Sequence, residues 1–444
     1  MVDERGRAVP SGRWSRLGGF GKLAGGVAGG VIAEGARRLA TGERPRMNEL
    51  LLTPANATRV ADQLSQLRGA AMKLGQMISM DAGDVLPPEL TAILARLRES
   101  AHHMPPAQLD RVLAQQWGES WRKRFRHFQA HPIAAASIGQ VHRAELRDGR
   151  VLAIKVQYPG VAESIDADVD NVATLLRVTG LLPRELDLRP LLEEAKRQLQ
   201  EEADYARELA MLERYRDLLG DDPAYVVPAA ESALSTARVL AMEFVAGAPI
   251  ETLAEAPQET RDTAGAALVR LVLRELFDWG VMQTDPNFAN YRWQTETGRL
   301  VLLDFGAARP VHAETRAGYH RLLMAGLDGD RARVRDAALA AGFLGHAAVE
   351  RHGAAVDRMI DVILAELGRP GLFDFGDRRF VGVIREEATA VARDRSTWHL
   401  PPVDTLFVQR KVSGTALLCA RLGARVEVRA MVERYRGVDF AALG

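Results

Sequence analysis

Thr284-Asp285-Pro286-Asn287-Phe288-Ala289-Asn290, followed downstream by Leu302-Leu303-Asp304-Phe305-Gly306, is the stretch on which the reading of this 444-residue chain turns. An aspartate, four residues, an asparagine, then an Asp-Phe-Gly closing a short apolar strand is a spacing with chemical content. Moving a phosphoryl group asks little covalent work of a protein. It needs a carboxylate at the attacking oxygen and hard oxygen ligands that hold a divalent cation against the phosphates. Asp285 suits the first task, as catalytic group, and Asn290 and Asp304 suit the second, as metal ligands. An isolated Asp-Pro-Asn would be an ordinary surface turn; the second aspartate at the right distance is what changes the reading.

Upstream, the chain supplies a matching cation. Ile138 to Leu146, a turn at Arg147-Asp148-Gly149, and Val151 to Val156 read as a β-hairpin, with Lys155 on its second strand. A strand lysine can hold the α- and β-phosphates of a nucleotide when a carboxylate orients it; without one it would be an exposed surface lysine. A helix read as continuous from about 190 to 218 offers Glu201, Glu202, Asp204 and Glu208. Helical phase puts Glu202 with Ala195, Leu199, Ala206 and Leu209, and puts Glu201 and Glu208 with polar Glu194, Gln198 and Tyr205. A carboxylate on an apolar face needs a partner, so Glu202 is predicted to hold Lys155. Met242-Glu243-Phe244-Val245 ends the next strand, and the backbone of Glu243 and Val245 is placed to pair with an adenine edge. The Gly-rich loop that covers the phosphates in ordinary kinases is missing, as is the His-Arg before the catalytic aspartate, where Gln283-Thr284 stands. Ala134, Ala135, Ala136 and Ser137 occupy the loop instead. Alanine restricts φ where glycine does not, which predicts a stiffer loop.

The order of elements predicts an α+β, bilobal protein-kinase-like fold. A small β-rich N-lobe covers 126–247 and a helical C-lobe covers 248–444. Ahead of them lie a Gly- and Arg-rich mobile leader, 1–45, and an N-terminal helical extension, 46–125. In the extension Val60, Leu64, Leu67, Ala71, Leu74 and Ile78 keep helical period, and Lys73 and Gln76 share a neighbouring face. A second Asp-Phe-Gly at 374–376 follows no apolar strand and no upstream Asp-x4-Asn. It is read as a loop that buries Phe373 or Phe375.

Bulk composition narrows the function. With 58 basic and 58 acidic residues the net charge is zero, which excludes a general nucleic-acid binder. The basic run Trp121-Arg122-Lys123-Arg124-Phe125-Arg126-His127 is read as a solvated helix face with two apolar anchors. The single cysteine, Cys419, excludes an internal disulfide framework and a Cys-based zinc site, and its apolar neighbours predict a buried, inert thiol. No stretch has the ~20 apolar residues of a membrane span, and no signal peptide is recognised. The expectation is a cytoplasmic or peripheral-membrane protein. Gly21, Gly25 and Gly29 in the leader have a spacing that suits close helix packing or contact with a bilayer surface.

With these residues in place the chain resembles the UbiB family of atypical kinases, in particular its coenzyme-Q-linked ADCK subgroup, over about residues 15–430. Lys73-Leu74-Gly75-Gln76 resembles the family's Lys-x-Gly-Gln, Ala134 to Ser137 its Ala-rich loop, and Glu202-Ala203-Asp204 its Glu-x-Asp. Gln283-Thr284-Asp285-Pro286-Asn287 resembles the mitochondrial-type motif. The resemblance implies a helical extension that folds over the active site, with Lys73 and Gln76 reaching the nucleotide. It implies ATP and Mg²⁺ as cofactors, and ubiquinone biosynthesis at a membrane as the setting. Partners implied are a lipid surface, quinone-biosynthesis proteins and isoprenoid-phenol intermediates. Two other readings stand beside the kinase or ATPase: a nucleotide-gated lipid-binding or scaffold protein, and a Ser/Thr protein kinase.

Overall fold

Strand β4 (Val151–Gln157) is buried along nearly its whole length, which fits its place between two antiparallel neighbours. In this computed structural model, residues 103–178, 189–397, 399, 401–438 and 440 are described. The leader, most of the helical extension, and Lys73 and Gln76 lie outside them. The chain divides into two units. One runs to Ala210 and takes in Ala229–Phe244; the other comprises Met211–Pro228 and the chain from Val245 onward.

The first unit begins with α1 (Pro106–Trp117), started by proline at a position that has no amide to lose. A single tight turn, Trp121–Arg124, leads into β1 (Phe125–Phe128). Trp121 and Phe125 are buried while the arginines and lysine between them are exposed, so the basic run is solvated but anchors a turn and a strand instead of a long helix. Strands β2 (Ala134–Ala135) and β3 (Gly139–Leu146) follow, and the sheet runs β1-β3-β4, with β2 on β3. The β3–β4 turn uses Gly149 at φ +90°, with the Asp148 carboxylate accepting from the Arg150 amide. Three helices follow: α2 (Val161–Val178), α3 (Arg189–Ala203) and α4 (Tyr205–Leu219). After β5 (Tyr225–Val226), which belongs to the second unit, β6 (Val239–Glu243) completes the sheet beside β4. Leu109, Leu113 and Trp117 of α1 pack with Leu152, Ile154 and Val156 of β4 in one core.

In the second unit β7 (Ala248–Pro249) precedes α5 (Gln258–Leu273). This helix runs on into a wider turn, Arg274–Trp279, in which the hydrogen bonds skip five residues. Gly280, at φ +61°, ends it in a left-handed conformation that costs glycine nothing. Then come β8 (Val281–Gln283), β9 (Tyr291–Gln294), β10 (Arg299–Leu302) and β11 (Ala308–Pro310). Helices α6 (Ala313–Leu327), α7 (Arg331–Ala340) and α8 (His346–Leu367), a short β12 (Phe373–Asp374), and α9 (Arg379–Ala392) and α10 (Val403–Leu422) follow. The described chain closes with β13 (Arg425–Val426) and α11 (Val428–Glu433). The second Asp-Phe-Gly lies at β12, paired with β13. Phe373 and Phe375 stack edge to face at 4.8 Å, each half-buried. Cys419 is fully buried, and burial pushes its thiol up to about 12. Among the described residues no helix is long and apolar enough to cross a membrane.

Candidate active site

The first unit presents the lysine. β4 places Lys155 opposite Val141 of β3 and Leu240 of β6, with its side chain almost wholly buried. Its ammonium donates to both carboxylate oxygens of Glu208, each at 2.8 Å, and sits 5.1 Å over the Tyr205 ring. Glu208, only 1% exposed, is therefore the orienting carboxylate; the expected Glu202 is not. The reason is a break in the helix. Asp204 Oδ1 accepts from the amides of Ala206 and Arg207, an N-cap that ends α3 and starts α4. The helical phase is reset there. Beyond the break Glu208 falls in line with Leu212, Tyr215 and Leu219, all buried, while Ala206 is exposed.

Glu202 does different work. Its Oε2 accepts from the Ser137 hydroxyl at 2.9 Å, tying α3 to the alanine loop. That loop is itself a hairpin: Ala134 and Ala135 pair with Val141 and Gln140, and the Ala136 amide donates to the Gly139 carbonyl. Gly139 has no room for a side chain, because a Cβ there would lie 2.5 Å from the Val156 carbonyl oxygen and 2.7 Å from the Tyr205 hydroxyl. Glu243 closes β6, and its amide donates to the Ala229 carbonyl at 2.8 Å.

The second unit presents the acidic set and the residue Val245. Asn290 and Asp304 stand at neighbouring strand ends, because the Leu303 amide donates to the Asn290 carbonyl at 3.0 Å. The Asn290 side-chain amide donates to the Asp285 carbonyl at 2.9 Å, which fixes the amide and turns its oxygen the other way. Thr284 bonds the Ala307 carbonyl through both its amide and its hydroxyl, binding the Asp285 loop to the segment after Asp304. Among the described residues no group of three or more histidines, cysteines and carboxylates could hold a metal. Two hard oxygen side chains, Asn290 and Asp304, fit a cation that takes its remaining ligands from phosphate and water, as Mg²⁺ does.

Five groups that sequence reasoning did not single out lie around Asp285 and behind it. Arg410 on α10 donates to Asp285 Oδ1 at 3.0 Å. Next to it Lys411, 1% exposed, lies 3.1 Å from Glu275 Oε2 and donates to the Tyr291 hydroxyl at 3.0 Å. Burial alone would push the Lys411 ammonium down, but the Glu275 charge beside it holds it above its ordinary range. Glu275, from the wide turn after α5, also accepts from the Tyr215 hydroxyl at 2.8 Å and from the Gln283 amide at 3.2 Å. A buried pair survives only when such bonds satisfy its remaining valences. A signal was present: Lys411 keeps helical step with Phe407, Thr415, Leu418 and Leu422, an apolar register in which a lysine requires a partner.

An α+β fold with a lysine–glutamate pair on the sheet and an Asp/Asn/Asp set among helices defines a kinase-like phosphotransferase. The chain belongs to the ABC1 atypical kinase-like family, whose domain matches residues 96–338. It is 38% identical over 425 residues to the atypical kinase COQ8, mitochondrial, of Saccharomyces cerevisiae, covering 94% of this chain and 84% of that one. To the atypical kinase COQ8B, mitochondrial, of Danio rerio it is 39% identical over 434 residues, 96% of this chain and 68% of the other. Among solved structures it is similar to Rv3197 of Mycobacterium tuberculosis, described as a complex with erythromycin. The TM-score is 0.60 and the identity 26%, over 83% of this chain and 93% of that one. The chain is thus an enzyme, an atypical kinase, and the family found is the one its motifs resemble.

Proposed function

We propose that this atypical kinase binds ATP with Mg²⁺ and uses it, by phosphoryl transfer or hydrolysis, in support of ubiquinone biosynthesis at a membrane surface. The observation that carries the reading is the Lys155–Glu208 pair: a lysine held at 2.8 Å by both oxygens of a buried carboxylate has one orientation to offer a phosphate. Asn290 and Asp304 hold the cation, which when bound neutralises phosphate charge. Asp285 orients the attacking hydroxyl or water. The hairpin at Ala134 to Ser137 covers the phosphates, and the strand end at Glu243 and Val245 takes the adenine. Lys73 and Gln76 restrict which acceptors reach Asp285, favouring water or a small molecule over a protein. An isoprenoid phenol is the acceptor class that fits a ubiquinone setting, and the leader 1–45 is the part that meets lipid.

The test is Mg²⁺-dependent nucleotide binding and ATP turnover by the purified chain, with and without anionic liposomes. Asp304→Asn should abolish the Mg²⁺-dependent part, while Asp374→Asn, in the second Asp-Phe-Gly, should behave as wild type. Wild-type affinity and turnover in Asp304→Asn would overturn the reading.

A further inference from the structure

Asp285 is held at two points by one helix. Directly, Arg410 of α10 donates to its Oδ1 at 3.0 Å, with 9% of the arginine side chain and 23% of the aspartate side chain exposed. Indirectly, Lys411 pairs with Glu275, Glu275 accepts from the Gln283 amide, and the Gln283 side-chain oxygen accepts from the Asp285 amide at 3.1 Å. The helix packs tightly on the proline of the loop. One turn beyond Arg410, Gly414 lies against Pro286, and a Cβ at 414 would sit 2.1 Å from the proline Cγ.

We infer that Arg410 is a positioning residue for the reaction: it clamps Asp285 Oδ1 so that Oδ2 is the oxygen presented to the attacking group. Oδ2 makes no hydrogen bond among the described residues. A carboxylate turns easily about its last torsion, and a charge-assisted bond to a nearly buried guanidinium removes that freedom. The loop cannot do this for itself, because residues 283–290 contain no lysine, arginine or histidine. The counter-charge comes instead from 125 positions downstream. The inference rests on the reading of Asp285 as the group that orients the nucleophile.

The experiment is ATP turnover by the full chain in a double-mutant cycle with Asp285→Asn. Arg410→Ala should lower kcat about 100-fold, the scale of an ångström-level misplacement, with KM for MgATP within about twofold of wild type. In the Asp285→Asn background the same substitution should cost nothing more, since the group it positions is gone. Arg410→Lys, which keeps charge and length, should fold as wild type and recover part of kcat. Equal losses in both backgrounds, a raised KM at unchanged kcat, or no recovery by lysine at native Tm each overturn the inference. Turnover that survives Asp304→Asn, or its absence from the wild type, would refute the underlying phosphotransfer reading instead.

Discussion

Glu208 and Lys155 meet through two 2.8 Å contacts, one to each carboxylate oxygen, with the glutamate almost fully out of solvent. Removing one member of a buried pair costs more than the pair is worth, because the survivor keeps its desolvation without its partner. Glu208→Ala should therefore lower stability by about 3–5 kcal/mol and weaken nucleotide binding. Glu202→Ala removes a partly exposed bond to Ser137, worth about 1 kcal/mol, and leaves the Lys155–Glu208 pair intact. Chemical denaturation and nucleotide titration of the two variants give the comparison; equal effects would show that Glu208 is not the orienting group.

Lys411→Met leaves Glu275 buried without its counter-charge, and should destabilise by a similar ~3–5 kcal/mol. Replacing both, as Lys411→Met with Glu275→Leu, should recover most of that loss in Tm, since well-packed apolar pairs commonly match buried ion pairs. Turnover should not recover, because the route from Glu275 through Gln283 to the Asp285 amide is gone. A double variant as unstable as the single would contradict this account.

His142 gives the protein an acid limit. Its Nδ1 donates to the Gln129 carbonyl, so its Nε2 accepts from Gln140, whose own oxygen is engaged by the Met104 amide. Burial, with weaker repulsion from His131 and His103, lowers it from 6.5 to about 4. The unfolded chain takes up this proton first as pH falls. The contribution is complete above about pH 6.5 and is lost towards pH 4, on the order of 3 kcal/mol in all. Tm should fall between pH 7 and 5 in the wild type and fall less steeply in His142→Gln. Parallel curves would assign the acid sensitivity elsewhere.

Gly414→Ala offers a test in which two effects oppose. In an open helix the change gains about 1 kcal/mol of propensity. Here the new methyl would meet a rigid proline ring at 2.1 Å. Overpacking of that kind costs about 1–3 kcal/mol, and the displaced atoms adjoin Asp285. A lower Tm together with reduced kcat is expected; a more stable, fully active variant would mean that α10 can retreat without consequence.

The parts legible from sequence were those encoded in short windows. The β3–β4 hairpin, Lys155 on its strand and the Asp285 to Asp304 spacing each lie within about twenty residues and needed only period and turn chemistry. The partner of Lys155 was missed because Ala195, Leu199, Ala206 and Leu209 imitate one unbroken helix across a break that a single capping side chain, Asp204, creates. Arg410 and Glu275 were missed because their partners lie 125 and 136 positions away. A buried charge announces that it needs a partner without saying which.

The wide separation of Asp285 and Arg410 also sets a delay. A ribosome adding ~5–20 residues per second needs roughly 6–25 s to travel from one to the other. Throughout that interval the nascent chain carries the whole phosphotransfer motif with its aspartate unclamped. Synthesis order thus leaves the Asp285–Arg410 contact to form only after α10 has emerged.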